Sequence, residues 1–517
     1  MQSIKQLIDT TAEATPDKTF LHVAETGEQM TFARLREHCR QINVFLDAKG
    51  IGHGDTVAFL MDNGYWTTCL FLGVMYSGRV ILPLNAVAGP DQLSYIIEHS
   101  ELKLIFCSDD YAEKYHSILH PSQGNFQIIP SDEDNGPQGI NDFAANNAAI
   151  IDTVKVSVED TALMIYTSGT TGRPKGVLLS HKNVIAGGNN TVIAHQLKAV
   201  DTSLCVLPLY HINAEMVSVM APLISNSSVV MSRKLSISKF WHWIAYYRCT
   251  WFSAVPTIYS YLIEQRQRGL TEDPDSSVDF KALTHHLRFA RSASAALPPA
   301  VHQEFESLFG VPIVETMGIS ECSAQILSNP MQRQVDYYGS PGLPIGNEMR
   351  IVDANHNTLA ANQKGELAVR GDNIMQGYFK NPQATQEALD DDGWFYTGDL
   401  GYCNDDGYYF VTGRSKELII RGGENIAPRE IDDVLYKRAE VLEAAAFGVP
   451  NDHYGQEVLA CVSLKPGSNC TEEILLDHCR ALLGKIKSPK RIHIISELPK
   501  GPSGKIQRLK LAERAYD

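Results

Sequence analysis

The sequence predicts an α/β protein: a large N-terminal domain of layered α/β sheets plus a β-rich subdomain, with a smaller α+β C-terminal domain. Three observations carry this. The chain has 517 residues, too many for one hydrophobic core. From Thr31 onward, apolar runs of strand length alternate with segments of helical period, the pattern of βαβ units in a mostly parallel sheet. Between Ile345 and Tyr409 the pattern changes to short strands and glycine turns, and a further unit of about 100 residues, enough to fold separately, starts near Lys416.

The elements follow in order. From Thr31 to Lys49, Phe32, Leu35, Cys39, Ile42 and Phe45 keep helical spacing, and Gly50 suits the stop. Val57 to Met61 reads as a buried strand, Tyr65 to Tyr76 as a helix and Val80 to Leu84 as a strand; a helix near Gln92 to His99 and a strand from Leu102 to Cys107 follow. The polar stretch Pro121 to Asn147 is expected to be a long surface connection. Ala162 to Tyr166 and Val177 to Leu179 are strand-length runs around a Gly-rich loop. Further strands are expected at Leu204 to Leu207, Ser228 to Met231, Trp251 to Val255, His286 to Ala290 and Pro312 to Glu315, with helical material at Met216 to Ile224 and Lys239 to Tyr247 and a polar loop from Arg268 to Ser277. Several strands end in small or polar residues. Ligands of open α/β sheets sit beyond the carboxyl ends of strands, so these ends should rim one site. The last unit should hold a helix from Arg429 to Lys437, a strand from Val458 to Leu464, a helix from Thr471 to Leu483 and a loop-rich tail.

Composition sets bounds. A hydrophobic content of 44% and a charged content of 20% are ordinary for a soluble globular chain. The net charge of −15 argues against broad nucleic-acid binding or attachment to an anionic membrane. The ten cysteines are scattered without Cys-x-x-Cys spacing, which speaks against a zinc or redox motif and fits reduced thiols in a cytoplasmic protein. The N-terminus lacks the apolar core of a signal peptide. The most apolar window, Cys69 to Leu84, is broken by Gly73, Gly78, Arg79 and Pro83 and reads as buried helix plus strand, not as a membrane span.

The chemistry concentrates in Tyr166-Thr167-Ser168-Gly169-Thr170-Thr171-Gly172-Arg173-Pro174-Lys175-Gly176-Val177. Glycine lets backbone N–H groups approach a ligand, hydroxyls add donors, and Lys175 adds a point charge suited to phosphate. The bland alternative is a Gly-rich hairpin turn. The stretch is not a Walker A loop, because Gly176 and a strand-like run follow Lys175 where Ser or Thr and a helix would be required.

This segment resembles the phosphate-binding signature of the adenylate-forming enzymes: acyl-CoA synthetases, peptide-synthetase adenylation domains and luciferases. Further segments resemble the family in the expected order, namely Pro208-Leu-Tyr-His211, Met317-Gly-Ile-Ser-Glu321, Tyr396-Thr-Gly-Asp399, Gly413-Arg-Ser-Lys416-Glu-Leu-Ile and Pro499-Lys-Gly-Pro-Ser-Gly-Lys505. The resemblance implies an ATP- and acyl-binding domain over residues 1–414 and a mobile C-terminal domain over 415–517 that carries the adenylation lysine, Lys505. It implies that Thr167, Ser168, Gly169, Thr170, Thr171, Gly172, Lys175 and Ser320 serve the phosphates, with Thr167 also counted among the catalytic residues. Glu321 would serve Mg²⁺, an ion that prefers oxygen ligands and phosphate oxygens. Asp399 would accept both ribose hydroxyls, with Arg414 beside it. Ser294, Met317 and Gly318 would line the nucleotide site; Met317 stands where members usually carry an aromatic residue that stacks on adenine. His211 would lie at the acyl pocket, Lys416 at a hinge between the two half-reactions, and Gly422 and Gly423 along a pantetheine tunnel.

The activity so implied is ATP-dependent adenylation of a carboxylic acid followed by thioester formation with CoA. No nucleic-acid partner is implied, and a homodimer is compatible with the sequence. The tracts Arg291-Ser-Ala-Ser-Ala-Ala, Phe252 to Thr257 and Ser328 to Pro330 look most like synthetases for small polar acids, oxalate–CoA ligases in particular, whereas His211-Ile-Asn-Ala-Glu215 departs from them. His211, Asn213, Glu215, Ser292 and Ser294 are expected at a polar acyl pocket, with Trp251, Phe252 and Tyr259 either closing its end or belonging to the core. The alternatives are an adenylation enzyme that loads a carrier protein, an aryl or medium-chain acyl-CoA ligase, a luciferase-like oxidase and a non-catalytic nucleotide binder.

Overall fold

A computed structural model describes residues 2–119, 126–140, 154–167, 173–268, 284–332, 338–451, 453–501 and 506–514. Four sheets organise it. In the nine-stranded sheet, Ile313–Ile319, Phe289–Ser292, Trp251–Ala254, Thr202–Cys205, Ser228–Met231 and Thr19–Val23 lie side by side in that order and run parallel. The parallel part of the eight-stranded sheet runs Thr161–Thr167, Val80–Pro83, Thr56–Leu60, Leu104–Cys107 and Gln127–Asp132. A four-stranded antiparallel sheet follows, Glu348–Val352, Gly365–Arg370, Phe395–Cys403 and Tyr409–Arg414. The last unit has its own five-stranded sheet, built round the long hairpin Val441–Asn451 and Gly455–Leu464.

Local sequence explains the frame. The helix Phe32–Ala48 starts at Thr31, whose side chain accepts from Arg34 N–H, and it buries Phe32, Leu35, Cys39, Ile42 and Phe45 on one face. The helix Tyr65–Tyr76 is buried at every residue. It packs between the two large sheets, touching Thr19–Val23 of one and Thr56–Leu60 and Val80–Pro83 of the other. An all-round apolar helix is what that position requires. Among the described residues no helix is long and apolar enough to cross a membrane. All ten cysteines are free thiols.

Several expectations are corrected. The Pro121 to Asn147 stretch is not simply a connection: Gln127–Asp132 adds a strand to the eight-stranded sheet beside Leu104–Cys107, and Gly136–Pro137 pairs back on it at the edge. The strand expected from His286 to Ala290 is Phe289–Ser292, so Arg291 and Ser292 are buried in the sheet and not in the following loop. The helix expected at Met216 to Ile224 begins earlier, as a π-helix over Asn213–Met220. Trp251, Phe252 and Tyr259 pack in the core against Phe289, Phe240 and Phe305 respectively, so they close no cavity as a wall of aromatic rings. Most of the polar loop expected from Arg268 to Ser277 lies outside the described residues.

One core contact makes stability depend on pH. His181 is fully buried, and its Nδ1 accepts a hydrogen bond from Ile4 N–H at 3.3 Å, which ties the N-terminal helix to the helix His181–His195. Burial lowers its pKa to about 4. A histidine held below its unfolded value near 6.5 binds fewer protons when folded, so its stabilisation is lost as pH falls from about 6.5 towards 4, by about 3 kcal/mol at most. His181→Gln keeps an acceptor for Ile4 without the titration. Its Tm should fall less steeply than that of the wild type across this window in a series of thermal melts, and equal slopes would remove His181 as the cause.

Candidate active site

The nine-stranded sheet has a topological switch at Thr202–Cys205. The chain continues to Ser228–Met231 on one side of it and then returns to Trp251–Ala254 on the other. A crevice opens beyond the carboxyl ends of strands at such a point. Three segments leave the sheet here: Pro208 to His211 with the π-helix, Ala293 to Ala296, and the end of Ile313–Ile319. Met317, Gly318, Ser294 and Thr257 line one cavity with Asp399 and Arg414 from the four-stranded sheet.

Close backbone approach shapes one wall of the cavity. At Gly318 an added Cβ would stand 2.0 Å from the Ala324 carbonyl oxygen on the neighbouring strand, so only glycine fits. Ser294 adopts φ of 71°, a left-handed conformation that serine rarely takes and that marks strained backbone at functional sites. Its Oγ accepts from Asn213 Nδ2 at 3.2 Å. Met317 is half-buried on the cavity wall, an adaptable apolar surface. Asp399 is 4% exposed, and its Oδ1 accepts from Arg414 Nε at 2.9 Å. The Asp399 charge raises the Arg414 pKa, so the two form a fixed pair on the wall.

The Gly-rich loop joins two antiparallel strands, Thr161–Thr167 and Lys175–Ser180, with Thr167 directly opposite Lys175. Ser168, Gly169, Thr170, Thr171 and Gly172 lie outside the described residues. Lys175 sits 4.5 Å from the ring centre of Tyr378, and the Tyr378 hydroxyl donates to Glu321 Oε1 at 3.0 Å. Burial first, and then the Glu321 carboxylate, push the Tyr378 phenol pKa far up, so it remains a donor. Tyr378 thus links the phosphate-loop lysine to the carboxylate on the turn Ser320–Cys322. Sequence reading missed it, since a lone tyrosine after Gly377 carries no signal of its own. Among the described residues no group of three or more His, Cys, Asp or Glu side chains is placed to hold a metal. Glu321 offers an oxygen donor of the kind that Mg²⁺ prefers.

The C-terminal unit closes the cavity. Arg429, Asp433, Ile506 and Arg508 line it from that side. Arg429 Nη2 donates to Gly339 O at 3.1 Å and its Nη1 to Val411 O at 2.5 Å. Lys500 Nζ donates to Tyr261 Oη at 2.8 Å and pairs with Glu443 at 2.9 Å, pinning the loop that leads to Lys505 against the helix Pro256–Arg268. Lys505 itself lies outside the described residues. Lys416 is exposed on the turn Ser415–Glu417 between the two units. Gly422 and Gly423, with φ of 60° and 87°, form an exposed two-residue hairpin turn that does not line the cavity in this arrangement. His211 is half-buried, with its ring edge-on to Tyr210 at 4.7 Å, and is not among the residues that line the cavity.

Comparison with known proteins agrees with this geometry. The model of the AMP-binding enzyme family matches residues 8–379, and that of the AMP-binding enzyme C-terminal domain matches residues 430–505. The chain belongs to the AMP-binding enzyme family. It is 41% identical to the sulfoacetate–CoA ligase of Cupriavidus necator over 99% of this chain and 98% of that one. It is 33% identical to the oxalate–CoA ligase of Arabidopsis thaliana over 99% and 98%. The crystal structure of ATP-bound MatB from Rhodopseudomonas palustris superposes with a TM-score of 0.88 at 28% identity, covering 100% of this chain and 99% of that one.

The close approach at Gly318 is open to test. Gly318→Ala should force the Ala324 strand away from the nucleotide wall. We expect a lower Tm and at least a tenfold weaker affinity for ATP, by roughly 1.4 kcal/mol or more, in calorimetry. Unchanged ATP affinity would mean that this wall does not contact the nucleotide.

Proposed function

We propose that this AMP-forming acid–CoA ligase takes a small acid carrying a second polar or charged group. One observation supports the substrate reading above others: the side chains buried behind Ser294 are polar. Asn213, Ser253, Arg291 and Gln325 form one hydrogen-bonded cluster there, with Ser292 buried on the same strand as Arg291. An alkyl chain pushed into that wall would leave such groups unpaired at about 1–3 kcal/mol each. Two losses would weaken binding roughly a hundredfold or more. The relatives' substrates, sulfoacetate and oxalate, are of the matching kind.

In the first step a carboxylate oxygen of the acid attacks the α-phosphorus of ATP. The bond to the bridging oxygen breaks, giving acyl-AMP and pyrophosphate. In the second, the CoA sulfur attacks the acyl carbon, AMP leaves, and the thiol proton is lost. When bound, Mg²⁺ neutralises charge on the phosphates, with Glu321 as its protein ligand. The protein otherwise positions and stabilises charge. Thr167, the loop Ser168 to Gly172, Lys175 and Ser320 take the phosphates; Asp399 and Arg414 take the ribose; Met317, Gly318 and Ser294 take the base and its surroundings. Lys505 bridges the acid's carboxylate and the α-phosphate, and His211 borders the acyl pocket. Residues 1–414 act as the ATP- and acyl-binding domain and 415–517 as the moving one. Its turning about Lys416 brings Gly422 and Gly423 from their exposed position to the pantetheine path. The polar contacts of Lys500 and Arg429 suit an interface that must open.

Pyrophosphate release with a panel of acids tests the substrate reading: kcat/KM should favour small polar acids over octanoate and benzoate, and the reverse preference would contradict it. The two half-reactions test the roles. Lys505→Ala should abolish acyl-AMP formation yet leave CoA attack on supplied acyl-AMP largely intact. Lys416→Pro, which fixes φ at the hinge, should do the opposite. Equal loss in both half-reactions for either variant would reject the assigned role.

A further inference from the structure

Two arginines rank among the large side chains that the fold buries almost completely, Arg79 and Arg291. They are treated differently. Arg79 has a carboxylate, pairing with Asp47 while also donating to Asn43 and to backbone carbonyls. Arg291, 1% exposed on the strand Phe289–Ser292, has none. Its Nη1 donates to Asn213 Oδ1 and to Ser253 Oγ, both at 2.9 Å, and its Nε donates to Gln325 Oε1 at 3.1 Å. All three acceptors are neutral, and among the described residues no carboxylate lies within ion-pair distance. Burial lowers its pKa only to about 9, so the guanidinium stays charged at neutral pH.

The acid on the π-helix forms no ion pair with it. Glu215, on the π-helix that supplies Asn213, is fully buried, and neither carboxylate oxygen has a hydrogen-bond partner among the described residues. Burial alone pushes its pKa well up, which disfavours its charged form. His195, held on the same Gln325 Oε1, is kept neutral by burial and by the Arg291 charge. The cluster therefore carries one uncompensated positive charge. A buried cation without a counter-charge is costly, and an anionic ligand group reaching it would offset that cost.

That charge is one side chain away from the active-site cavity. Asn213 takes Arg291 on its oxygen and reaches Ser294, on the cavity wall, with its nitrogen. The geometry points to Arg291 as the binding residue for a second anionic group on the acid, a carboxylate or sulfonate that passes Ser294 and replaces the Asn213 oxygen as acceptor. This rests on the ligase reading and narrows it. The substrate is a short acid with two negative charges, and a betaine, whose second charge is positive, is repelled. A guanidinium offers paired N–H donors that match either oxyanion.

The test measures pyrophosphate release by the wild type, Arg291→Lys and Arg291→Gln with malonate, oxalate, sulfoacetate, propionate and glycine betaine. The wild type should prefer the doubly charged acids, and the ratio among them tells a carboxylate from a sulfonate subsite. Arg291→Gln should lower kcat/KM for them at least about a hundredfold, chiefly through KM, with propionate changed less than about threefold and the KM for ATP unchanged. Arg291→Lys should fall between. Equal losses for malonate and propionate, or no loss for malonate, would overturn the inference and leave the ligase reading standing. If Arg291→Gln fails to fold, the wild type still decides: malonate should exceed its monomethyl ester about a hundredfold, and parity would overturn the inference. Wild type that activates none of the acids would overturn the ligase reading itself.

Discussion

The ammonium of Lys500 lies between the Tyr261 hydroxyl and the Glu443 carboxylate, and the closed cavity depends on this arrangement. Glu443 belongs to the C-terminal sheet and Tyr261 to a helix of the N-terminal body, so one side chain joins the two units. Within its own unit the contact is a buried ion pair, which is expensive to break. Across the interface it is one charge-assisted hydrogen bond, worth about 1.5–3 kcal/mol. The difference makes the contact within the C-terminal unit costlier to break than the contact across the interface. Arg429, held by two carbonyls of the other unit, obeys the same logic.

The site on the N-terminal side is rigid by contrast. Its walls come from strand ends at a topological switch, and the glycine at 318 and the left-handed Ser294 fix how closely backbone and ligand approach. Electrostatics divides the crevice. Asp399 with Arg414 forms a compensated pair on the cavity wall, and Glu321 is tied to Lys175 through Tyr378. Behind the acyl side, Arg291 is surrounded only by neutral acceptors. The crevice thus has a charge-compensated wall on one side and a guanidinium with neutral acceptors behind the other.

Much of this was legible in the sequence, for identifiable reasons. The helix Tyr65–Tyr76 was readable to its ends because a glycine precedes it and its apolar run stops at Ser77 and Gly78. The order of small motifs pointed to the same family that the comparisons show. The misses share a cause, since each depends on partners remote in the chain. Gln127–Asp132 looked like loop because this strand, next to the sheet edge, buries only part of its residues. Arg291 read as the start of a loop because a charge in the middle of a strand contradicts local expectation. Only Asn213, Ser253 and Gln325, brought in from other elements, make it tolerable there. The Lys500–Tyr261 contact spans 239 residues and has no local trace.

Under the proposed mechanism the first half-reaction occurs in the docked arrangement held by Lys500, and the second requires its release. Tyr261→Phe removes the interdomain hydrogen bond while leaving the Lys500–Glu443 pair in place. Rapid-quench measurement of each half-reaction separately should then show acyl-AMP formation slowed about tenfold or more, as expected for losing a hydrogen bond to a charged group, with thioester formation from supplied acyl-AMP unchanged or faster. Acyl-AMP formation at the wild-type rate, or an equal slowing of both steps, would contradict the account.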